Sequence, residues 1–390
     1  MKQMSVLEGS QAERAPVSGQ AAEPATNSDE ITITFYANEV PSFVAAEMER
    51  LYENVYTSLA RFRIYGEAGN ASTYVVRKGG IAITIFLFRH EVSEIRVLNN
   101  QIRISEEDIH RFSAAVFSKF NAVTVISFCA IQTAIRTLPF PHQCCYSLEE
   151  VILELPATEE EYFSRLGKNT RASIKRYLKK IAKSLPSYNY TVYAKDDISE
   201  QYIREIIRLS AARMAAKNRA AYIDEEETRR IISLARIHGF VGVATIDGRV
   251  CSGLICYQVG CNYFLNVIAH DPQYDDYRIG KLCCYRTICE CIRRNGKMFL
   301  FMGSTHKYKF DLLGVRSGFD YLAVYRSRIH FFLHGRSVIG AACRASVLRT
   351  KLWLLHAERR DGFVSRVASR LVQGLRNVKR SRFVSFTGRR

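Results

Sequence analysis

FVGVATIDGRVCSGLICYQVGCNYFLNVIAHDPQYDDYRIGKLCCYRTICECIRRNGKMFLFM, residues 240–302, decides how this chain folds. Residues 240–246 are apolar and β-prone, and Asp247-Gly248 after them is a strong hairpin signal. A second strand is expected over 249–258, a turn at Gly260, and a third strand over 262–269. The next twelve residues are polar and charged. Leu282, Tyr285, Ile288, Cys289 and Ile292 then recur at helical spacing, and Asn295-Gly296 ends that helix. Residues 298–302 form one more apolar strand. A strand–helix–strand crossover of this kind makes the third and fourth strands parallel.

This order sets Arg278-Ile279-Gly280-Lys281 at a helix N-terminus directly after a strand. Free backbone N–H groups and the helix dipole make such a place fit for phosphate. Gly280 lets a ligand approach the backbone, while Arg278 and Lys281 add charge. One charge at a helix end contributes only about 0.3–1 kcal/mol, so several groups must act together on a diphosphate.

The whole chain has 390 residues, enough for two domains, with 47% hydrophobic and 24% charged residues as in a soluble globular protein. No apolar run reaches the roughly 18 residues of a membrane span, and the first residues contain no signal-peptide core. The eleven cysteines include no CxxC pair with zinc spacing, so no metal is expected. Most sit in apolar patterns where a free thiol acts as a small hydrophobe, which points to a reducing cytoplasm. The net charge is +18, and residues 336–390 hold fourteen Lys or Arg against Glu358 and Asp361, a balance of 14 − 2 = +12. A basic tail implies an anionic neighbour: a membrane surface, nucleic acid or an acidic polymer.

Residues 1–30 have a disordered composition. From Ile31 the order reads strand, helix, three strands, helix, strand, with a two-glycine turn at Gly79-Gly80 and a capping box at Ser105. The second half repeats that core order, so a duplication is expected, with halves at 31–150 and 151–330 and a basic helical tail at 331–390. The first half passes from its third strand to its helix through Asn99-Asn100-Gln101, which has no glycine and no charge; one active half and one supporting half follow. Between the halves a basic helix starts at Thr158. Its apolar stripe is Tyr162, Leu166, Ile174, Leu178 and Ile181, and its other faces include Lys168, Arg171 and Arg176. These three cations are candidates for binding an anionic substrate. In the tail, Val364, Val367, Leu371 and Leu375 form a narrow apolar stripe among Arg366, Arg370 and Arg376. A peripheral contact with an anionic membrane or a membrane-bound synthase is expected there. Nucleic acid fits less well, since no aromatic-interleaved platform or groove-reading motif appears.

Three motifs carry a family resemblance. Lys168-x-x-Arg171-x-x-Ile174-x-Arg176 is similar to the basic helix motif of the CelD/BcsL branch of GNAT-type acetyltransferases, which is associated with cellulose biosynthesis. Arg278-Ile279-Gly280 stands at the place of that branch's Ser-Pro-Gly turn, and Tyr308-Lys309 resembles its Tyr-Lys pair. The branch looks like the FemAB peptidyl- and aminoacyl-transferases in having two GNAT-like halves. Two positions depart from the pattern: Leu282 replaces the second small residue of the GNAT phosphate motif, and no Asp lies in residues 299–302.

The resemblance implies an α/β (α+β) fold of two tandem GNAT-like mixed-sheet halves. It implies transfer of an acyl group from acetyl-CoA or another acyl-CoA to an amine or hydroxyl, in envelope polysaccharide metabolism. The pantetheine arm would pair with the strand edge at Val267 and Ile268, and the diphosphate would sit at Arg278, Ile279, Gly280 and Lys281. Such chemistry needs a base and oxyanion donors. His270, Asp271 and His306 are the candidate bases, Lys309 the oxyanion donor, and Tyr308 or Tyr285 the proton source for the leaving thiolate. Two alternatives stay open: a non-catalytic GNAT-fold interaction protein, and a FemAB-like transferase using aminoacyl-tRNA bound on the basic helix.

Overall fold

The computed structural model describes residues 6–8, 30–216, 223–303 and 306–357, with side chains described over 30–216, 223–303 and 306–354. The first half consists of β1 (Val6–Glu8), β2 (Ile31–Tyr36), α1 (Val44–Tyr52), α2 (Leu59–Ile64), β3 (Ser72–Lys78), β4 (Ile81–Glu91), β5 (Glu94–Val97), β6 (Ile102–Arg103), α3 (Glu106–Lys119) and β7 (Val125–Gln132). A long strand, β8 (His142–Glu154), leads into α4 (Glu159–Arg165) and α5 (Lys168–Ser184). The second half holds β9 (Asn189–Ala194), α6 (Glu200–Ala216), α7 (Glu225–His238), β10 (Gly239–Ile246), β11 (Arg249–Val259), β12 (Asn262–His270), α8 (Ile279–Arg293), β13 (Met298–Leu300), α9 (Lys307–Asp311) and β14 (Val315–Tyr325). Helices α10 (Arg328–Leu333) and α11 (Gly335–Ala357) follow.

All strands join one mixed sheet in the order β1-β2-β3-β4-β5-β7-β14-β8-β13-β12-β11-β10-β9, with β6 beside β7. The expected elements of the second half are present. Asp247 and Gly248 both have positive φ (49° and 74°), as a two-residue hairpin requires. β12 and β13 pair in parallel across the α8 crossover. Helices cover both faces of the sheet. On one face of the second half, Leu282, Cys284 and Ile288 of α8 pack with Ile174 of α5 and Tyr162 of α4. On the other, Ile206 of α6 and Ile231 of α7 pack on Val241, Ile255 and Val267. The first half is built likewise around Phe112 of α3 and, opposite it, Phe62 of α2.

Sequence periodicity alone misplaced several features. β8, β9 and β14 carry no clean alternation and were not expected as strands; their places are fixed by partners far away in sequence. The expected boundary at residue 150/151 falls inside β8, which pairs with β13 on one side and β14 on the other. β14 in turn pairs with β7, so the last strand of the second half closes the first. The basic helix expected from Thr158 is two helices: Leu166 and Gly167 leave the helical region, and α5 starts afresh at Lys168. Within 1–30, Val6–Glu8 pairs in parallel with β2 because that edge strand offers an unpaired row of N–H and C=O groups. The apolar stripe expected at 364–375 lies outside the described residues.

Phe299, fully buried in the short β13, packs on Phe301 with ring centroids 4.9 Å apart. Since β13 ties β12 to the long strand β8, Phe299→Ala should lower the unfolding free energy by about 3–5 kcal/mol. Chemical denaturation followed by circular dichroism measures this; a loss under about 1 kcal/mol would contradict the packing.

Candidate active site

β12 and β13 pair only from Asn262–Phe264 to Met298–Leu300 and then part. β12 continues to His270, bonded to β11 on its other side. Its free edge and the segment 301–303 form the two walls of a cleft of about 890 Å³. A β-bulge lies where the strands part: Val267 faces Ile255 and Leu265 faces Cys256, so Asn266 has no opposite residue. Such an extra residue turns the local backbone out of the ladder. The Asn266 amide donates to the Tyr257 hydroxyl at 2.9 Å, which fixes the bulge. Asp271 N donates to Cys251 O at 2.8 Å. By alternation the N–H and C=O of His270 and Ile268 therefore point into the cleft.

The start of α8 opens into the same space. Arg278 sits in the left-handed region (φ 51°) and the first turn of α8 has no acidic residue. Lys281 N and Leu282 N donate to Arg278 O at 3.0 and 3.1 Å, which leaves the Ile279 and Gly280 N–H groups with no helical carbonyl. Gly280 lies under His270: a Cβ there would come within 2.6 Å of His270 Nδ1. The His270 ring is held by Asp275, with Nε2 2.8 Å from Oδ1. Lys281 reaches across to Asp311 of α9 at 2.9 Å. Helix α5 is clamped over this loop, since Lys180 donates to Asp276 O at 3.2 Å and lies 4.5 Å from the Tyr277 ring centroid. Its next turn brings Ser173, Arg176 and Tyr177 to the cleft wall. Arg278 and Arg176 flank the Tyr177 hydroxyl and hold its phenol below the ordinary range.

Lys309 is buried, and its Nζ donates to Phe301 O (2.7 Å), Met302 O (2.8 Å) and Gly303 O (3.1 Å). Burial pulls its ammonium down to about 8. Glu150 of β8, also buried, lies within its field, and burial pushes that carboxyl up to about 7. Tyr308 lines the cleft with a phenol held well above its ordinary range by burial, and His306 stacks near it at 6.3 Å.

Of the candidate residues, Ile268, His270, Arg278, Gly280, Lys281, His306, Tyr308, Lys309 and Arg176 line one cleft. Others do not. The Val267 and Ile279 side chains are buried in the core on either face of the sheet, and the Val267 backbone faces β11 opposite Ile255, so Val267 offers the cleft nothing and Ile279 only its backbone. Lys168 is exposed at the start of α5. Arg171 turns back to donate to Leu166 O at 2.7 Å, bridging the break between α4 and α5. Tyr285 stacks on Tyr162, on the opposite side of α8, and Asp271 accepts from Gln273 N to start a turn. The Lys309 ammonium is committed to three carbonyls, so it holds a wall of the cleft rather than an oxyanion.

The cleft also contains Ser210, Arg213 and Met214 of α6. The Arg213 Nε is buried with no hydrogen-bond partner. No sequence signal marks Arg213, because α6 reads as an ordinary amphipathic helix. Asn266 had one: it is a polar residue inside the apolar run 263–268.

Residues 168–310 match the model of the acetyltransferase (GNAT) domain family. The chain thus carries a GNAT-type domain whose span includes α5, the splayed strands, α8 and α9. Among solved structures, FemX superposes with a TM-score of 0.54 at 9% identity, over 72% of this chain and 96% of FemX. L-PGS from Bacillus licheniformis gives 0.46 at 12% identity, over 80% of this chain and 98% of that one. A tandem GNAT protein from the clavulanic acid biosynthesis pathway gives 0.37 at 11% identity, over 76% and 98%. The FemX likeness is one of fold and spans both halves. No curated protein sequence matches the chain significantly.

Glu150 gives this site a pH signature. Its carboxyl holds a proton more readily folded, at about 7, than at its ordinary 4.5, so stability falls as pH rises between those values. In Glu150→Gln that loss should vanish, and the difference between the two proteins should change by up to about 1.4 kcal/mol per pH unit in that window. Lys309, pulled down, acts in the opposite sense above about pH 8. Urea unfolding at pH 5, 6 and 7 measures the effect; parallel profiles would contradict it.

Proposed function

We propose that this protein is an acyltransferase that takes its acyl group from an acyl-CoA thioester and gives it to an amine or hydroxyl. The observation that supports this is the joining of a free strand edge and an acid-free helix N-terminus in one cleft. The residues fit such a donor: the Ile268 and His270 backbone groups can pair with the amides of a pantetheine arm. Gly280, bare of a side chain and roofed by a histidine, leaves the first N–H groups of α8 open to a diphosphate. Arg278 and Arg176 supply charge beside it. Bound there, a thioester supplies an activated acyl carbon. His306, exposed at the cleft wall, takes the proton of the attacking amine or hydroxyl. Tyr308, held protonated by burial, gives one to the departing sulfur. Asp275 keeps the His270 ring over Gly280.

A second donor is favoured by one observation. The outer face of α5 presents Lys175 and Lys179 to solvent beside the cleft, and a charged tRNA would lie on such a surface. The acceptor, the acyl chain and any role in envelope polysaccharide metabolism belong to the proposal alone, as does a protein that keeps the fold and only binds.

Calorimetric titration with acetyl-CoA and CoA separates these readings. Micromolar binding should weaken at least tenfold in Gly280→Asp, which places a carboxylate against the phosphate, and less in Gly280→Ala, which only displaces His270. No binding of either ligand, with binding of aminoacyl-tRNA instead, would replace the first reading by the second. Binding of neither would leave a non-catalytic protein.

A further inference from the structure

Among the described residues, six of the eleven large apolar side chains that stand exposed fall within residues 329–353: Ile329, Phe332, Leu333, Ile339, Val347 and Trp353. Each is more than half exposed. The others, Ile81, Ile83, Val92, Ile237 and Val315, are scattered along the chain, as single surface hydrophobes normally are. A cluster of this size on α10 and α11 calls for a partner.

The arrangement says which kind. The inner face of α11 is small and apolar: Ala341 and Ala345 pack on Cys145, with Tyr146 and Tyr321 beside them. At 100° per residue, Ile339, Cys343, Ser346, Val347, Thr350 and Trp353 fall on the opposite, outward side and are exposed, whereas Leu354 at the end of that side is buried. Arg344 and Lys351 lie on one margin of that side, with Arg336 at its start; Arg349, on the other margin, turns inward, its guanidinium 5.8 Å from the Tyr146 ring centroid. In α10, Phe331 turns inward onto Tyr325, ring centroids 5.1 Å apart. Ile329, Phe332 and Leu333, three and four residues apart, point elsewhere and are exposed. From 328 to 357 there are five Lys or Arg and no Asp or Glu. A protein partner or a second copy of the chain would be met by cations alone on this side. An apolar strip edged by cations, with no acid, instead fits the boundary between the headgroups and acyl chains of an anionic bilayer. No described helix is long and apolar enough to cross one.

We propose that the outward face of α10 and α11 is a peripheral docking surface for an anionic lipid bilayer. The apolar side chains enter the interface, and Arg336, Arg344 and Lys351 meet lipid phosphates. The proposal stands apart from the acyl-transfer reading, since the surface shares no residue with the cleft.

The chain has one tryptophan, Trp353, and it lies in this face. Its fluorescence in the full-length protein therefore reports docking without a label. Vesicles of phosphatidylcholine with about a third phosphatidylglycerol should shift its emission to the blue and co-sediment the protein. Pure phosphatidylcholine vesicles should do neither, and 0.5 M salt should weaken the binding at least tenfold, because surface charge is screened. Ile339→Asp with Val347→Asp should lower vesicle affinity at least tenfold and leave the melting temperature unchanged. Ile339→Ser with Val347→Ser does the same more mildly and guards against misfolding. Vesicle binding retained in both double variants, binding indifferent to lipid charge, or a Trp353 shift that depends only on protein concentration would overturn the proposal, the last in favour of self-association.

Discussion

The site depends on two parallel strands that stop pairing. After Phe264 and Leu300 the Asn266 bulge turns β12 away from β13; had they stayed paired, they would satisfy each other's N–H and C=O groups. The carbonyls of residues 301–303 must find other donors, because a buried carbonyl without one costs about as much as a lost hydrogen bond. Lys309 supplies them. A single ammonium has three donors, and here they serve Phe301, Met302 and Gly303 in succession. Burying that charge is unfavourable on its own, and the depressed ammonium and raised Glu150 carboxyl show it. The ammonium stands in for a strand, and the cleft exists because it does.

The first half shows the same topology with the gap closed. There the parallel pair β5 and β7 is prolonged by β6, with Ile102 opposite Ile131 and Arg103 opposite Gln132. The bend between β5 and β6 is filled by Asn99, fully buried, which accepts from Leu87 N and donates to Ile85 O. Helix α3 starts with Glu106, Glu107 and Asp108 behind a Ser105 cap. Those acids complement the helix dipole and leave no place for a phosphate. The helix that faces the cleft, α8, begins instead with Arg278 and no acid. The halves therefore differ in structure: one is filled and capped, the other open and positive.

Much of this was legible in residue order. The Asp-Gly hairpin, the α8 crossover and the basic start of α8 follow from local chemistry, since turn conformation, helical periodicity and capping act over a few residues. The missing glycine and missing charge at Asn99-Asn100-Gln101 set this junction apart from residues 278–281 for the same reason. Residue roles were harder. Lys309 was visible as a conspicuous cation, yet its use depends on carbonyls six to eight residues before it that only a splayed strand exposes. Arg171 and Lys168 share a helix with Arg176, but the break at Gly167 and the clamp of Lys180 on Asp276 and Tyr277 turn only Arg176 inward.

By itself, then, the sequence determined the local elements and their polarity: which runs become strands, where the crossover helix begins, and that its N-terminus is positive. Tertiary structure alone decided the rest. It ran β8 and β14 between the halves, opened the strands at the Asn266 bulge, and brought Arg213 from α6 and Tyr308 from α9 to one cleft. It also left Ile339, Val347 and Trp353 of α11 exposed. The physical reason is range: turns, caps and helical stripes are fixed by neighbours within a turn or two, whereas strand pairing and cleft walls are fixed by groups more than a hundred residues apart.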